Sequence, residues 1–345
     1  MMRIYVRFLI LLHCLCFTLS AVSSAPPEEI RIKKIWDKGQ HNAFTDLIRF
    51  RNFYFCVFRE GSGHVPGTDG VIRILRSADL NEWESVALLE KSGIDLRDAK
   101  LSVTPEGRLM VIMGGSVYKE GKLLGRMPHV SFSDKSGTKF SSPEKVTIDP
   151  DLVSWGDWIW RVTWYEGTGY GIDYQIGPQE RNGPAALCLV KTRDGKTFEK
   201  VSEIELDGFP NEATIRFDHA GNMYVLIRRE LEDKMGVWAL SSPPYNRWKF
   251  IKLGYRLGGP NFVFTKEERV IMGTRVYEEN GTYTGLFLGN KAGVFEKILR
   301  IPSSGDNSYP GLVLEKNRLI VSYYSSHEGK TAIYLAIIPI HVIFK

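Results

Sequence analysis

The sequence predicts an all-β fold, a six-bladed β-propeller closed by strands from both chain ends. Three observations carry this expectation. One strand–turn–strand unit recurs six times at a nearly constant pitch, no stretch holds a helical period over a dozen residues, and a lone alternating segment precedes the first unit. Self-similarity on this scale marks an architecture in which every unit is one small sheet that must pack against its neighbours.

The first strands of the units read Thr45–Phe50, Lys100–Thr104, Arg161–Tyr165, Ala213–Phe217, Asn261–Thr265 and Gly311–Glu315, with ends 54, 61, 52, 48 and 50 residues apart. Tight turns follow them, such as Pro105-Glu106-Gly107 and Asp218-His219-Ala220-Gly221. Glycine takes positive φ there at little cost. The second strands, Phe53–Phe58, Leu109–Met113, Tyr170–Tyr174, Met223–Ile227, Val270–Met272 and Leu319–Tyr324, are rich in the branched and aromatic residues that suit a pleated, buried surface. The last unit supplies only three strands. Ile30–Trp36 can provide its fourth, and a ring closed in this way leaves no exposed sheet edge. A pair of β-sandwiches is the alternative, disfavoured by the regular pitch and the closing strand.

Ahead of the repeats, Arg3 and Arg7 precede a mostly apolar run from Phe8 to Val22, and small residues follow to Ala25. A run of this length falls short of the roughly 20 residues that span a bilayer. Residues 1–25 are therefore expected to be a cleaved export signal, with residues 26–345 forming one propeller domain that is secreted or periplasmic and has no membrane span. Without Arg3 and Arg7, 43 basic side chains face 40 acidic ones. So slight an excess gives no reason to expect a nucleic-acid partner. Of the four cysteines, Cys56 and Cys188 lie in apolar strand-like runs beyond the leader and are expected to be buried and unpaired.

The connection between third and fourth strands carries its own signature. Thr192-Arg193-Asp194-Gly195-Lys196-Thr197-Phe198 is the clearest copy and Ser77 to Trp83 a second. Ser131 to Phe140, Ser241 to Trp248 and Gly289 to Phe295 are degraded versions. The aspartate can cap the turn while the aromatic residue plugs the space between sheets. These turns resemble the Asp box of sialidases and related propellers, and the resemblance in blade pattern covers nearly all of the chain beyond the leader.

In a propeller, the head of each first strand and the loop after each second strand open on one face of the hub. Those positions hold Arg59, Arg97, Asp98, Trp160, Arg161, Glu212, Arg228, Arg275, Tyr309 and Tyr324. Arginines converging on one mouth suit a carboxylate or phosphate. Trp158 and Trp160 could pack between blades or stack on a sugar. Of Arg228 and Arg229, adjacent on one strand, only one can face the pocket. The resemblance to sialidases sharpens here. Asn211-Glu212 stands at the head of the fourth unit with Arg228 after its second strand, and Ser308-Tyr309-Pro310-Gly311 heads the last. The resemblance implies that Tyr309 is a nucleophile, that Glu212 accepts its proton, and that Asp69, in Gly67-Thr68-Asp69-Gly70, is the acid/base. A neutral nucleophile avoids the repulsion a carboxylate would meet at an acidic anomeric centre. His41-Asn42-Ala43 stands where the family has Arg-Ile-Pro, so one of three carboxylate-binding arginines is missing there.

The expected activity is that of an exo-acting, retaining glycoside hydrolase on a terminal, acidic sugar, with a glycan or glycoconjugate as partner and no cofactor. Two alternatives stay open: a carbohydrate-binding propeller without catalysis, and a furanosidase-type glycosidase using three hub carboxylates, Asp46, Asp98 and Glu212. No histidine or cysteine spacing assembles a metal site.

Overall fold

The computed structural model describes residues 29–65, 69–175 and 187–345. The expected leader lies outside the described residues, as do residues 66–68 of the loop before Asp69. The chain begins with β1 (Arg31–Trp36) and then builds six antiparallel sheets around an axis. Blade one holds β2 (His41–Phe50), β3 (Phe53–Gly61), β4 (Val71–Ser77) and β5 (Glu84–Leu89). Blade two holds β6 (Asp95–Val103), β7 (Leu109–Lys119), β8 (Lys122–Phe132) and β9 (Glu144–Lys145). A short β10 (Thr147–Ile148) then crosses over and pairs in parallel with the outer strand of blade three. Blade three holds β11 (Asp157–Tyr165), β12 (Thr168–Gln175), β13 (Leu187–Thr192) and β14 (Thr197–Glu203). Blade four follows with β15 (Pro210–Phe217), β16 (Met223–Arg229), β17 (Met235–Ser241) and β18 (Lys249–Arg256). Blade five has β19 (Asn261–Phe264), β20 (Val270–Glu278), β21 (Gly281–Gly289) and β22 (Phe295–Ile301). Blade six has β23 (Asn307–Leu314), β24 (Arg318–Ser325) and β25 (Ala332–Pro339), and β1 pairs antiparallel with β25 to complete it. This is the six-bladed propeller the repeats predict, closed by both ends. A single helical turn, α1 (Ile340–Ile343), ends the chain.

The innermost strands start three to five residues earlier than the sequence pattern shows in five blades. Their heads are irregular. In β2, β6, β11, β15 and β23 two consecutive residues oppose a single one on the neighbouring strand. The doubled pairs are Phe44-Thr45, Asp98-Ala99, Trp160-Arg161, Asn211-Glu212 and Tyr309-Pro310. A bulge of this kind bends the strand and re-aims its side chains. Phe44, Asp98 and Tyr309 take positive φ of 63°, 51° and 54°, a sparsely populated region for such residues that clusters at functional sites. Strict alternation breaks there, which is why periodicity alone does not reach the heads.

The blades are tied at the hub by side-chain bonds from one inner strand to the next. Thr45 donates to the Tyr309 carbonyl at 2.8 Å, Thr163 to Ile215 at 2.8 Å, Thr214 to Pro260 at 2.8 Å and Asn261 to Pro310 at 3.0 Å. Asp46 joins three blades. Its carboxylate accepts the Leu101 N–H at 2.8 Å and both terminal nitrogens of Arg161 at 2.7 and 3.1 Å.

Outside the hub, Asp79, Asp134 and Asp194 each accept two backbone N–H groups of their own turns. The turn N–H groups hold the Asp79 carboxyl down at about 2, and the Ser136 hydroxyl, with the turn N–H groups behind it, holds the Asp134 carboxyl there too. The Ser131–Phe140 turn is thus well formed despite its degraded sequence. Cys56 and Cys188 are buried and unpaired, and burial pushes the Cys188 thiol up to about 11.

Removing Asp46 strands the Arg161 guanidinium in the interior. Asp46→Ala is expected to destabilise the fold by about 3 kcal/mol or more, measured by denaturant unfolding. Asp46→Asn, which keeps an acceptor, should cost less.

Candidate functional site

At the hub, the Tyr309 hydroxyl donates to Glu212 Oε1 at 2.5 Å, 97 residues away in sequence. The Arg228 Nη1 donates to the same carboxylate oxygen at 2.7 Å and to the tyrosine oxygen at 3.0 Å. The other carboxylate oxygen accepts the Gly259 N–H at 2.7 Å. Gly259 has φ of 59°, and a side chain there would meet the Tyr309 ring, so glycine is required twice over. Arg228 faces this pair, while Arg229 turns away to the Asp207 carbonyl, Glu232 and Asp233.

Burial alone pushes the Glu212 carboxyl up, but the Arg228 guanidinium, the Tyr309 hydroxyl and the Gly259 N–H together hold it below the usual carboxylate range. Burial, then the Glu212 charge, pushes the Tyr309 hydroxyl well above its ordinary value. The resting pair is a neutral phenol bonded to an ionised carboxylate.

Tyr309 and Glu212 open on a cavity of about 200 Å³ whose wall includes Phe44, Arg97, Asp98, Arg126, Trp158 and Tyr174. Asp98 is buried. Desolvation raises its carboxyl pKa, partly offset by Arg97 and Lys100. The Arg97 guanidinium makes only long ion pairs, 3.6 Å to Asp95 and 3.9 Å to Asp98. Arg126 lies over the Trp158 ring at 5.6 Å and has no carboxylate partner among the described residues, and its buried Nε has no hydrogen-bond partner. Beneath, Lys100 is buried against the Trp160 ring, and desolvation pulls its ammonium down to about 8. Trp158 and Tyr174, both lining the cavity, stack at 6.2 Å. The cavity thus offers carboxyl, phenol, guanidinium and aromatic groups together, suited to a polar ring carrying negative charge. A larger groove, lined by Leu240–Lys249 on the rim of blade four, gathers no such set.

The other expected site residues lie elsewhere. Arg59 is fully buried and paired with Asp95 at 2.8 Å, holding the base of the loop that carries Asp69. Arg161 is spent on Asp46, and Trp160 is packed 5.7 Å from the Tyr309 ring rather than on the cavity wall. Arg275 grips the Asn307 carbonyl and donates to the Tyr324 hydroxyl at 2.9 Å, and Tyr324 in turn donates to Asp306 at 2.8 Å. Asp69 is exposed beside residues 66–68 and outside the cavity wall. Asp46 cannot serve as a third catalytic carboxylate because Arg161 and Leu101 occupy it. Arg126 was not foreseen. It sits on a third strand, away from the first-strand heads and second-strand loops that open on the hub, and Leu124-Gly125-Arg126-Met127-Pro128 gives no local signal.

Two further groupings go beyond the sequence, which places His41, His64 and Asp306 at hub-facing positions of the first and last units without joining them. At the cavity mouth His41 and His64 both contact Asp306, at 2.9 and 2.8 Å, although 265 and 242 residues separate them from it. Below Trp158, the Asp173 carboxylate accepts the Trp158 N–H at 3.0 Å, and burial, reinforced by Asp157, pushes its pKa up to about 8.

No protein-family model and no curated protein sequence matches the chain. Likeness exists at the level of structure. A protein of unknown function from Dyadobacter fermentans superposes with a TM-score of 0.77 at 16% identity, over 91% of this chain and 100% of the other. Trypanosoma rangeli sialidase superposes with a TM-score of 0.72 at 9% identity, over 93% of this chain and 61% of the sialidase. Penicillium chrysogenum alpha-L-arabinanase, complexed with arabinobiose, gives 0.66 at 15% identity, over 90% of this chain and 98% of the other. The class is therefore a six-bladed propeller whose fold is shared with glycoside hydrolases. Within it, the chain is similar in structure to the trypanosomal sialidase, about 60% of whose length it spans.

The folded Asp173 carboxyl keeps its proton up to about pH 8, against 3.8 for the ordinary group. Unfolding between those values releases a proton, so this group's contribution to stability falls as pH rises through the window. Asp173→Asn is expected to gain stability relative to the parent by up to roughly 1 kcal/mol per pH unit there, read from denaturant midpoints at pH 5 and 8.

Proposed function

We propose that the chain is an exported, exo-acting glycoside hydrolase of the sialidase-like class that cleaves a terminal acidic sugar with retention. The observation that carries this reading is the 2.5 Å bond between the Tyr309 hydroxyl and Glu212, bridged by Arg228. In the first step the Tyr309 oxygen attacks the anomeric carbon as its proton passes to Glu212. Arg228 touches both partners, so it stabilises the tyrosine oxygen when water later displaces it. Such a nucleophile bears no charge against an acidic anomeric centre.

Protonation of the leaving oxygen is assigned to Asp98. It is the carboxyl in the cavity whose burial favours the protonated form, as a general acid requires. Asp69, which the sialidase resemblance designates, is exposed and would have to move inward. The cavity volume corresponds to about seven waters of liquid, the scale of one sugar ring, which supports exo action. Arg97 and Arg126 on its wall support an acidic substrate. The apolar run from Phe8 to Val22 supports export.

Turnover of aryl glycosides of acidic sugars tests the assignment. Tyr309→Phe and Glu212→Gln should each lower kcat by a hundredfold or more. Asp98→Asn should cost about 10² to 10⁴, with Asp69→Asn within about fivefold of the parent. Unchanged turnover in Tyr309→Phe excludes the tyrosine mechanism, and the reverse ranking of the two aspartates returns the acid role to Asp69. Binding of acidic glycans without turnover would instead support a lectin-like propeller.

A further inference from the structure

The glycosidase chemistry leaves one titratable cluster at the cavity mouth without a role. His41 comes from the head of β2, His64 from the loop after β3, and Asp306 from the segment before β23. One atom from each, His41 Nε2, His64 Nδ1 and Asp306 Oδ2, lies within 4.8 Å of the other two. We propose that these residues form a binding site for a divalent zinc-type cation, with a coordination position left open beside the cavity.

Four physical points support the site. The donor set is two imidazole nitrogens and one carboxylate oxygen, which suits zinc and its first-row neighbours rather than calcium or magnesium. Zinc bonds to nitrogen and oxygen of about 2.0–2.2 Å place tetrahedral ligands roughly 3.4 Å apart. The observed nitrogen–oxygen separations of 2.9 and 2.8 Å would open by about half an ångström to reach that spacing. The carboxylate is already oriented. Its Oδ1 accepts the Tyr324 hydroxyl at 2.8 Å, and the Asp306 N–H donates to Ser326 at 2.9 Å, which leaves Oδ2 for the cluster. Such outer partners are what fix a metal ligand in place. Finally, the rings are held from behind, since Phe44 packs against His64 at 5.0 Å and against His41 at 6.5 Å.

Three protein ligands leave a tetrahedral ion one open position, the arrangement of sites that bind water or substrate rather than serve structure alone. One carboxylate against a divalent ion leaves net positive charge, and Arg275 adds to it from 3.6 Å away on Oδ1. The open position therefore favours an anionic oxygen. Phe44 and His64 also line the cavity beside Tyr309, so a substrate oxygen bound to the ion would lie next to the site. His41 occupies the stretch where the sialidase resemblance expects an arginine, and the cation restores positive charge there. The site does not depend on the hydrolase reading, because ion binding is measured without any sugar.

The experiment is a calorimetric titration of the folded, tag-free chain with ZnCl2 alone, alongside His64→Ala, His41→Ala and the control His219→Ala. His64 and His219 are exposed, so those two variants should fold, and circular dichroism checks all three. The parent and His219→Ala should bind one ion per chain, and His64→Ala and any folded His41→Ala should lose at least about tenfold in affinity. Cobalt in place of zinc should give the intense visible bands of a four- or five-coordinate ion in the parent and not in His64→Ala. Absence of stoichiometric zinc binding in the parent, or parent-like affinity in His64→Ala, overturns the proposal.

Discussion

The Asp46 carboxylate is the constraint on which the arrangement of the hub rests. A propeller has no layer of helices to cover its centre, so its inner strands must satisfy one another. Asp46 does this for three blades at once, with its own strand in blade one, an amide of blade two and the guanidinium of blade three. Elsewhere hydroxyl and amide donors reach main-chain carbonyls, and the Arg216 guanidinium links blade four to Thr163 and Asn261 of its neighbours. The buried charge pair is therefore placed where the sheets that carry Phe44, Asp98 and Trp158 must be held in register. Buried pairs of this kind add little net stability compared with apolar packing, but losing one partner is severe. The geometry of the cavity wall inherits that sensitivity.

A second consequence of burial appears at the Tyr309–Glu212 pair. Desolvation would drive both groups neutral. Arg228 prevents this for the glutamate without ionising the phenol, because its Nη1 reaches both oxygens and Glu230 contacts its other nitrogen. The guanidinium thus keeps Glu212 ionised, while burial and the Glu212 charge keep Tyr309 neutral despite it. Asp98, across the cavity, lacks such close support, as its arginine stands 3.9 Å away. Two carboxyls lining one cavity therefore have opposite tendencies, which is what lets one site hold an acid and a base together.

Much of this was legible in the sequence. The six-fold pitch and the lone N-terminal strand give the ring and its closure. The pairing of Tyr309 with Glu212 is implied by the sialidase resemblance. What escaped has a common physical cause. Arg126 sits on a third strand, Asp173 has the alternation of an ordinary strand residue, and His41, His64 and Asp306 meet only because blades one and six are neighbours after closure. Contacts across the seam have no local signature. Conversely, Arg59 and Arg161 look like ligand-binding arginines in the sequence because they share the strand positions of those that are. Only the partners, Asp95 and Asp46, reveal their structural duty.

The doubled residues at five strand heads have an evolutionary consequence. Each pair stands outside the regular ladder, opposite a single partner residue, so Phe44, Asp98, Glu212 and Tyr309 can be replaced without shifting strand registry, whereas Thr45 and Arg161 of the same pairs also tie blades together. Chemistry and scaffold are thereby divided between adjacent residues at the positions that face the axis. A family using this device can exchange tyrosine, glutamate or tryptophan at its centre while the surrounding sheets diverge independently. Deleting one residue of a pair is another matter, because it returns the strand to even pairing and swings the head side chain to the opposite face. Lineages built this way should tolerate substitution at the centre far better than a change of length.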